Sequence, residues 1–295
     1  MDKSEILAQY DLLVIAFAIV AGTAARIAVL KADSRQVPSV PTGYFIHLVN
    51  GFVAAGLGAV AIPALLAKDF AAVTFLALAI QHFREIRKQQ KESLEFVERT
   101  EYAPRGEAYI DGIAKSFEAR NYIALLTALG AVLITRLIHP QGVAALAMVA
   151  AASGAALAGI MIYCTKGKRI GDICDVHTAD FEVKGASLYV DGIFVSSMLG
   201  TPNSQALFAK EGVAFVVKPR SPKHRLAIGS EGQRQAMLFD AVRSFGLKKH
   251  SFTRRSLPDG RVVIAFEPID SNREGIASVI QRTPILESVR MRNKF

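Results

Sequence analysis

The sequence has no tryptophan, only two cysteines, and no Asp, Glu, Lys or Arg between Arg136 and Lys166. Cys164 and Cys174 supply no disulfide framework, which sets aside the small secreted scaffolds that depend on one. The start is short of positive charge, since Asp2, Glu5 and Asp11 outnumber Lys3. It therefore does not read as a cleaved secretory signal, which needs a basic start and a small-residue cleavage site, and the first apolar segment is read as a retained anchor. Inverted repeats and runs of intramembrane charge are also lacking, which argues against a transporter.

What is present is apolar and unevenly spread. Hydrophobic residues make up 51% of 295 and mean hydropathy is +0.29. A membrane-spanning helix takes about 20 mostly apolar residues at about 1.5 Å each. Five stretches qualify or nearly do. Leu12–Leu30 is interrupted only by Arg26, close enough to one end to snorkel. Tyr44–Leu66 holds His47 and Asn50, three apart and so on one helical face. Phe70–Phe83 is short, Tyr122–Ile138 carries Arg136 near its end, and Gly142–Cys164 is clean. The expected fold class is a mainly α transmembrane bundle of about five helices over residues 1–165, followed by a small α+β cytosolic domain over 166–295.

Orientation follows from Lys and Arg in the short flanks, which favour the cytosolic side. Lys31, Arg35, the cluster at Arg84, Arg87, Lys88 and Lys91, then Arg99, Arg105, Lys115 and Arg120, and finally Lys166, Lys168 and Arg169 fall on one side. Only Lys3 and Lys68 fall on the other. This places the N-terminus outside and the loop at about 81–121 and the tail inside, in a bacterial cell membrane. Ala54 and Gly58 in the second segment, and Ser153, Gly154, Ala155, Ala158 and Gly159 in the fifth, are spaced for close helix packing within the bundle or in a homodimer.

The inner loop opens with Phe83, Ile86, Leu94 and Val97 at near-helical spacing, as if the third helix runs on beyond the membrane, and Pro104 and Gly106 break it. A second amphipathic stretch follows, with Ile110, Ile113 and Phe117 on one side and Asp111 and Lys115 at i, i+4. Its hexapeptide Tyr109-Ile110-Asp111-Gly112-Ile113-Ala114 resembles the motif that names the YIEGIA family of membrane proteins in endospore-forming bacteria. Asp111 stands where the family name has Glu. The resemblance implies a role in sporulation, the spore inner membrane or germination, and brings no catalytic mechanism with it.

The tail holds 21 of the 35 Lys and Arg but 13 of the 26 Asp and Glu, and so +8 of the formal +9. Such charge suits anionic lipid, nucleic acid or an acidic protein, and the reading favours the bilayer and a cytosolic protein partner over nucleic acid. Ala186–Val190 and Ile193–Ser196 read as strands turned by Asp191-Gly192, and Ser251–Arg255 and Arg261–Phe266 as strands turned by Asp259-Gly260. Ala214–Lys218 and Leu226–Gly229 are further candidate strands, while Gly232–Phe245 and Asn272–Met291 read as helices, the latter broken at Pro284. A small sheet covered by two helices fits this order.

Three constellations in the tail can carry chemistry. Asp172, Cys174, Asp175, His177 and Asp180 are five potential ligands within nine residues, yet no partner pair is evident elsewhere; they also suit a polar strand with its turn, and no metal or cofactor is assigned. Tyr189-Val190-Asp191-Gly192-Ile193 echoes the loop motif, which suggests Asp111 with Asp191 as a carboxylate pair of an aspartic-type protease, and Asp175 with His177 is the other candidate catalytic pair; a turn role for Asp191 and a helix-surface role for Asp111 need less. Gly229-Ser230-Glu231-Gly232-Gln233 opens a helix behind Lys223 and Arg225, which allows an anion site or a Ser230 cap. It matches neither a P-loop nor a dinucleotide fingerprint. Taken together, the sequence points to a polytopic regulatory or scaffold protein that uses Tyr109, Ile110, Asp111, Gly112, Ile113, Lys223, Arg225 and Ser230 to bind a partner protein or small anionic ligand. The alternative is a membrane-associated hydrolase.

Overall fold

The computed structural model describes residues 3–33, 41–68, 70–101, 103–165 and 167–289. They divide into two compact units, Met1–Glu92 with Ile113–Lys166, and Ser93–Gly112 with Gly167–Phe295.

The first unit is helical: α1 (Lys3–Asp33), α2 (Pro41–Leu66), most of α3 (Phe70–Glu98), the larger part of α4 (Glu107–Ile138) and α5 (Val143–Thr165). Its interior is built from small residues. Ala18, Ala55, Ala59, Ala128 and Ala131 are fully buried with Val14, Val132 and Leu146. Large apolar side chains point outward instead, with Leu12, Val20, Phe45 and Met148 each at least 65% exposed. Apolar residues outside and alanine inside are the pattern expected of helices solvated by lipid, where close backbone approach replaces hydrophobic burial as the source of cohesion. Glycines show how close: a Cβ on Gly58 would lie 2.1 Å from the Leu125 carbonyl oxygen, and one on Gly154 would lie 2.7 Å from the Ala21 Cβ.

Among the described residues four helices are long and apolar enough to cross a membrane: Gln9–Leu30, Tyr44–Leu66, Glu107–Ile138 and Val143–Thr165. This corrects the expected five. The apolar part of α3 runs only from Phe70 to Phe83 before Arg84, about 21 Å of helix against about 30 Å of hydrocarbon. The α3 helix packs antiparallel to α4, with fully buried Phe83 edge-on to Tyr122 at 5.5 Å and Arg87 paired to Glu118 at 3.4 Å. Arg26 corrects a second expectation. It is 1% exposed, its stem packed against Gly51, so it does not snorkel. His47 stacks on Phe117 at 5.0 Å, and Arg136 pairs with Asp11 at 2.7 Å.

The second unit is α/β. After α6 (Ile170–Ile173) come β1 (Cys174–Thr178), β2 (Phe181–Lys184), β3 (Ser187–Val190), β4 (Ile193–Ser196), α7 (Pro202–Glu211), β5 (Val213–Pro219), α8 (Pro222–Gly229), α9 (Glu231–Phe245), β6 (Ser251–Arg255), β7 (Val262–Phe266) and α10 (Arg273–Arg282). There are two antiparallel sheets where one was expected, with orders β1-β5-β7-β6 and β2-β3-β4. Strand β7 is buried along its whole length, and β5 from Val213 to Val217. Their alternate residues Ala214, Val216, Val263 and Ala265 pack on Leu188, Val190 and Val195 of the small sheet, which is why both strands read as continuous apolar runs. Both Asp-Gly hairpins form. Asp191 and Gly192 have φ of 49° and 74°, the two positive values a tight two-residue turn requires.

Leu226–Gly229 is not a strand but the end of α8, since Pro222 at the first position after Ser221 starts a helix that Ala227 and Ile228 bury on one side. Helix α7, which the sequence pattern does not mark, has a capped start, Thr201 accepting from the Ser204 amide at 3.2 Å ahead of Pro202. The second long helical pattern stops at Arg282. Beyond it the chain is held by buried Gln233, which donates to the Pro284 carbonyl at 3.0 Å and accepts from the Leu286 amide at 2.8 Å.

Candidate functional site

Residues 109–112 of the loop motif belong to the second unit. Gly106, at φ +87°, turns the chain into α4, and its amide donates to Glu98 at 2.8 Å. One turn on, the Tyr109 hydroxyl donates to both carboxylate oxygens of Asp240 on α9, at 3.0 and 3.2 Å. Its ring meets Phe239 edge-on at 6.2 Å, and the buried Arg105 guanidinium lies 4.8 Å over that same Phe239 ring. Burial raises the Asp240 carboxyl above its ordinary range, against hydrogen bonds from Thr283 and Tyr109 and the nearby charges of Arg243 and Arg105. Tyr109, Ile110 and Ile113 are buried, while Asp111 and Gly112 keep partial exposure.

A second feature is a 630 Å³ cavity where the ends of the two sheets meet. Its lining includes His177, Asp180, Asp191, Lys218, Arg225 and Arg261. Four of the residues singled out in the sequence are thus brought together by the hairpin at Asp191, the end of β1 and the first turns of α8. The organising group is one the sequence did not single out: Arg261 pairs with Asp191 and with Asp259. Burial acts to raise the Asp259 carboxyl but is outweighed by bonds from Ser256 and Arg261, which hold it down at about 2. Its only legible signal was its place right after the Asp259-Gly260 turn.

The remaining candidates fall elsewhere. Asp111 is not among the cavity residues. Asp175 accepts from Arg220 Nε at 3.0 Å and Nη2 at 2.8 Å, which holds its carboxyl below the ordinary range. Asp172 accepts from the Arg169 amide at 2.7 Å, and burial pushes the Cys174 thiol up to about 12. Among the described residues no group of three or more His, Cys, Asp or Glu side chains is placed to share a metal ion. Lys223 is exposed on α8, and Ser230 joins α8 to α9 without a side-chain cap bond.

Among the described residues, four helices long and apolar enough to cross a membrane, followed by a two-sheet α/β region with a polar cavity, are the make-up of a membrane-associated class of protein. The model of the YIEGIA family, described as YIEGIA protein, matches residues 14–294, and the chain belongs to that family. It is 35% identical over 286 residues to the uncharacterized protein YphB of Bacillus subtilis (strain 168), an endospore former, covering 94% of this chain and 93% of that protein. No solved structure matches it.

Proposed function

We propose that this protein is a membrane-embedded regulatory or scaffold protein of sporulation or germination, whose inner loop and tail act as one cytosolic recognition body. The observation that carries this reading is the folding of residues 93–112 with the tail, fastened by the Tyr109–Asp240 bond. Loop and tail are separated by two spans, α4 and α5, so they share a side of the membrane, and their Lys and Arg content favours the cytosol. An N-terminus outside and a tail inside need an odd number of crossings, so on this reading α3, antiparallel to α4, also returns the chain through the bundle despite its short apolar run; the Asp11–Arg136 pair, at the end of α4 farthest from the loop, supports an N-terminus on the outer side. A relative in an endospore former supports the sporulation setting.

The cavity at the sheet ends is the ligand site of this body. Its lining holds Lys218, Arg225 and Arg261 against Asp180, Asp191 and Asp259, with His177 beside them; Arg261 is shared by Asp191 and Asp259, and Lys218 and Arg225 are the cations that would receive the anionic group of a small polar molecule. The test uses the full-length protein. Inorganic phosphate or pyrophosphate should raise the Tm of the detergent-solubilised chain, and Lys218→Gln with His177→Gln should abolish that rise. In sporulating cells, the same variant should retain its membrane level yet give fewer germination-competent spores. A normal spore yield from cells lacking the protein would sink the reading. Accumulation of one uncleaved membrane protein in Asp191→Asn cells would replace it with the aspartic-type hydrolase.

A further inference from the structure

Between Glu211 and Glu231 the chain has no acidic residue, while Lys218, Arg220, Lys223 and Arg225 fall within that interval. Arg220 is taken up by Asp175. Lys223 and Arg225 are exposed on the two flanks of α8, whose buried side carries Ala227 and Ile228. Between these flanks, opposite the buried side, lies Leu226, 60% exposed. The Arg225 stem lies against Gly260 in the β6–β7 turn, where an added Cβ would sit 2.8 Å from its Cγ. That turn carries Leu257, 82% exposed. Two bare leucines set among cations, with the nearby carboxylate of Asp259 held by Arg261, make a surface that water solvates poorly and anions attract.

Chain connectivity restricts what meets it. The Arg220 amide donates to the Ile173 carbonyl at 3.0 Å, and Ile173 follows the last residue of α5, Thr165, by eight positions. Eight residues reach at most about 28 Å. The basic segment is therefore leashed close to the bilayer that α5 enters, where anionic headgroups attract Lys and Arg and the interface accepts leucine.

We propose that α8 and the β6–β7 turn dock on the anionic surface of the protein's own membrane, Leu226 and Leu257 inserting at the headgroup level and Lys223 and Arg225 meeting lipid phosphates. Leu226, Leu257 and Lys223 lie outside the cavity lining, and Arg225 alone is shared with the ligand site, so the test rests on the other three. Both leucines are exposed, so substituting them leaves the core intact.

The test is a full-length chain carrying Leu257→Cys and Cys164→Ser, labelled with an environment-sensitive dye; Cys174 is buried and unreactive. It is reconstituted in nanodiscs of phosphatidylcholine alone or mixed with phosphatidylglycerol. Docking gives blue-shifted emission, protected from an aqueous quencher, only in the anionic discs. The effect fades at about 1 M salt, where the screening length is about 3 Å. Lys223→Gln, outside the cavity, lowers the docked-to-free ratio about fivefold. A label equally exposed in both lipids overturns the proposal. So does a label equally protected in both, which would mean that protein rather than lipid covers the patch. The phosphate-induced rise in Tm, read on the same chain with the cavity variant, separates failure here from failure of the ligand site.

Discussion

Tyr109 of the family motif donates its hydroxyl to both oxygens of Asp240, a residue 131 positions away on another helix of the same unit. A hydrogen bond to a charged partner, here half-buried, contributes about 1.5–3 kcal/mol, and deleting its donor leaves the carboxylate without that bond. Tyr109→Phe is expected to destabilise the second unit by that amount and to raise amide exchange over residues 93–112. Exchange rates matching wild type would show that Arg105, Phe239 and Ile110 hold the loop without it.

Asp240 and Asp259 set opposite pH dependences. The folded carboxyl of Asp240 lies above its unfolded value, so its contribution is fully present below about pH 4 and is lost as pH rises through the raised folded value. Asp240→Asn should flatten the fall in Tm on that side. Asp259 is held at about 2, so its contribution is present above about pH 4 and is lost as pH falls towards 2. Asp259→Asn should flatten the acid limb, with Tm against pH of the solubilised chain as the measurement for both.

Bundle packing should be sensitive at Gly58 and indifferent at Gly56, its near neighbour on α2. A Cβ at Gly58 meets the Leu125 carbonyl, whereas one at Gly56 has nothing within 4 Å. Gly58→Ala is expected to cost roughly 1–3 kcal/mol through forced separation of α2 and α4. Gly56→Ala should match wild type in thermal unfolding in detergent, and equal losses at the two sites would contradict the packing.

The start of α7 gives a further test in the second unit. Thr201→Ala removes the side-chain acceptor for the Ser204 amide and should cost about 0.5–2 kcal/mol, while Thr201→Ser or Thr201→Asp should restore most of it. Urea unfolding followed by a probe in the tail reads this difference.

Topology is tested by a cysteine at Asp270, which is exposed. In right-side-out vesicles it should resist an impermeant maleimide until the membrane is opened. Labelling in intact vesicles would put the tail outside and end the cytosolic reading.

Local chemistry was legible wherever one segment's own pattern decides the outcome. The apolar lengths of Leu12–Leu30 and Tyr44–Leu66, both Asp-Gly turns and the strands flanking them needed no partner to be read, because backbone conformation there follows from residue type and periodicity. Phe70–Phe83 was over-read because an apolar run counts as a span only if its length matches the hydrocarbon. Arg26 was misjudged because snorkelling assumes open space above the side chain, and Gly51 instead supplies a slot within the bundle.

The sequence by itself determined that the first half holds helices long and apolar enough to cross a membrane, that the tail is basic, and that the chain carries the family motif. These are properties of composition and short-range order. Only the tertiary structure decided that Tyr109 of the motif is bonded to Asp240, that Arg261 bridges Asp191 and Asp259, and that the tail builds two sheets. Such contacts join residues tens of positions apart, and their partners are selected by burial and strand pairing, which no single segment encodes.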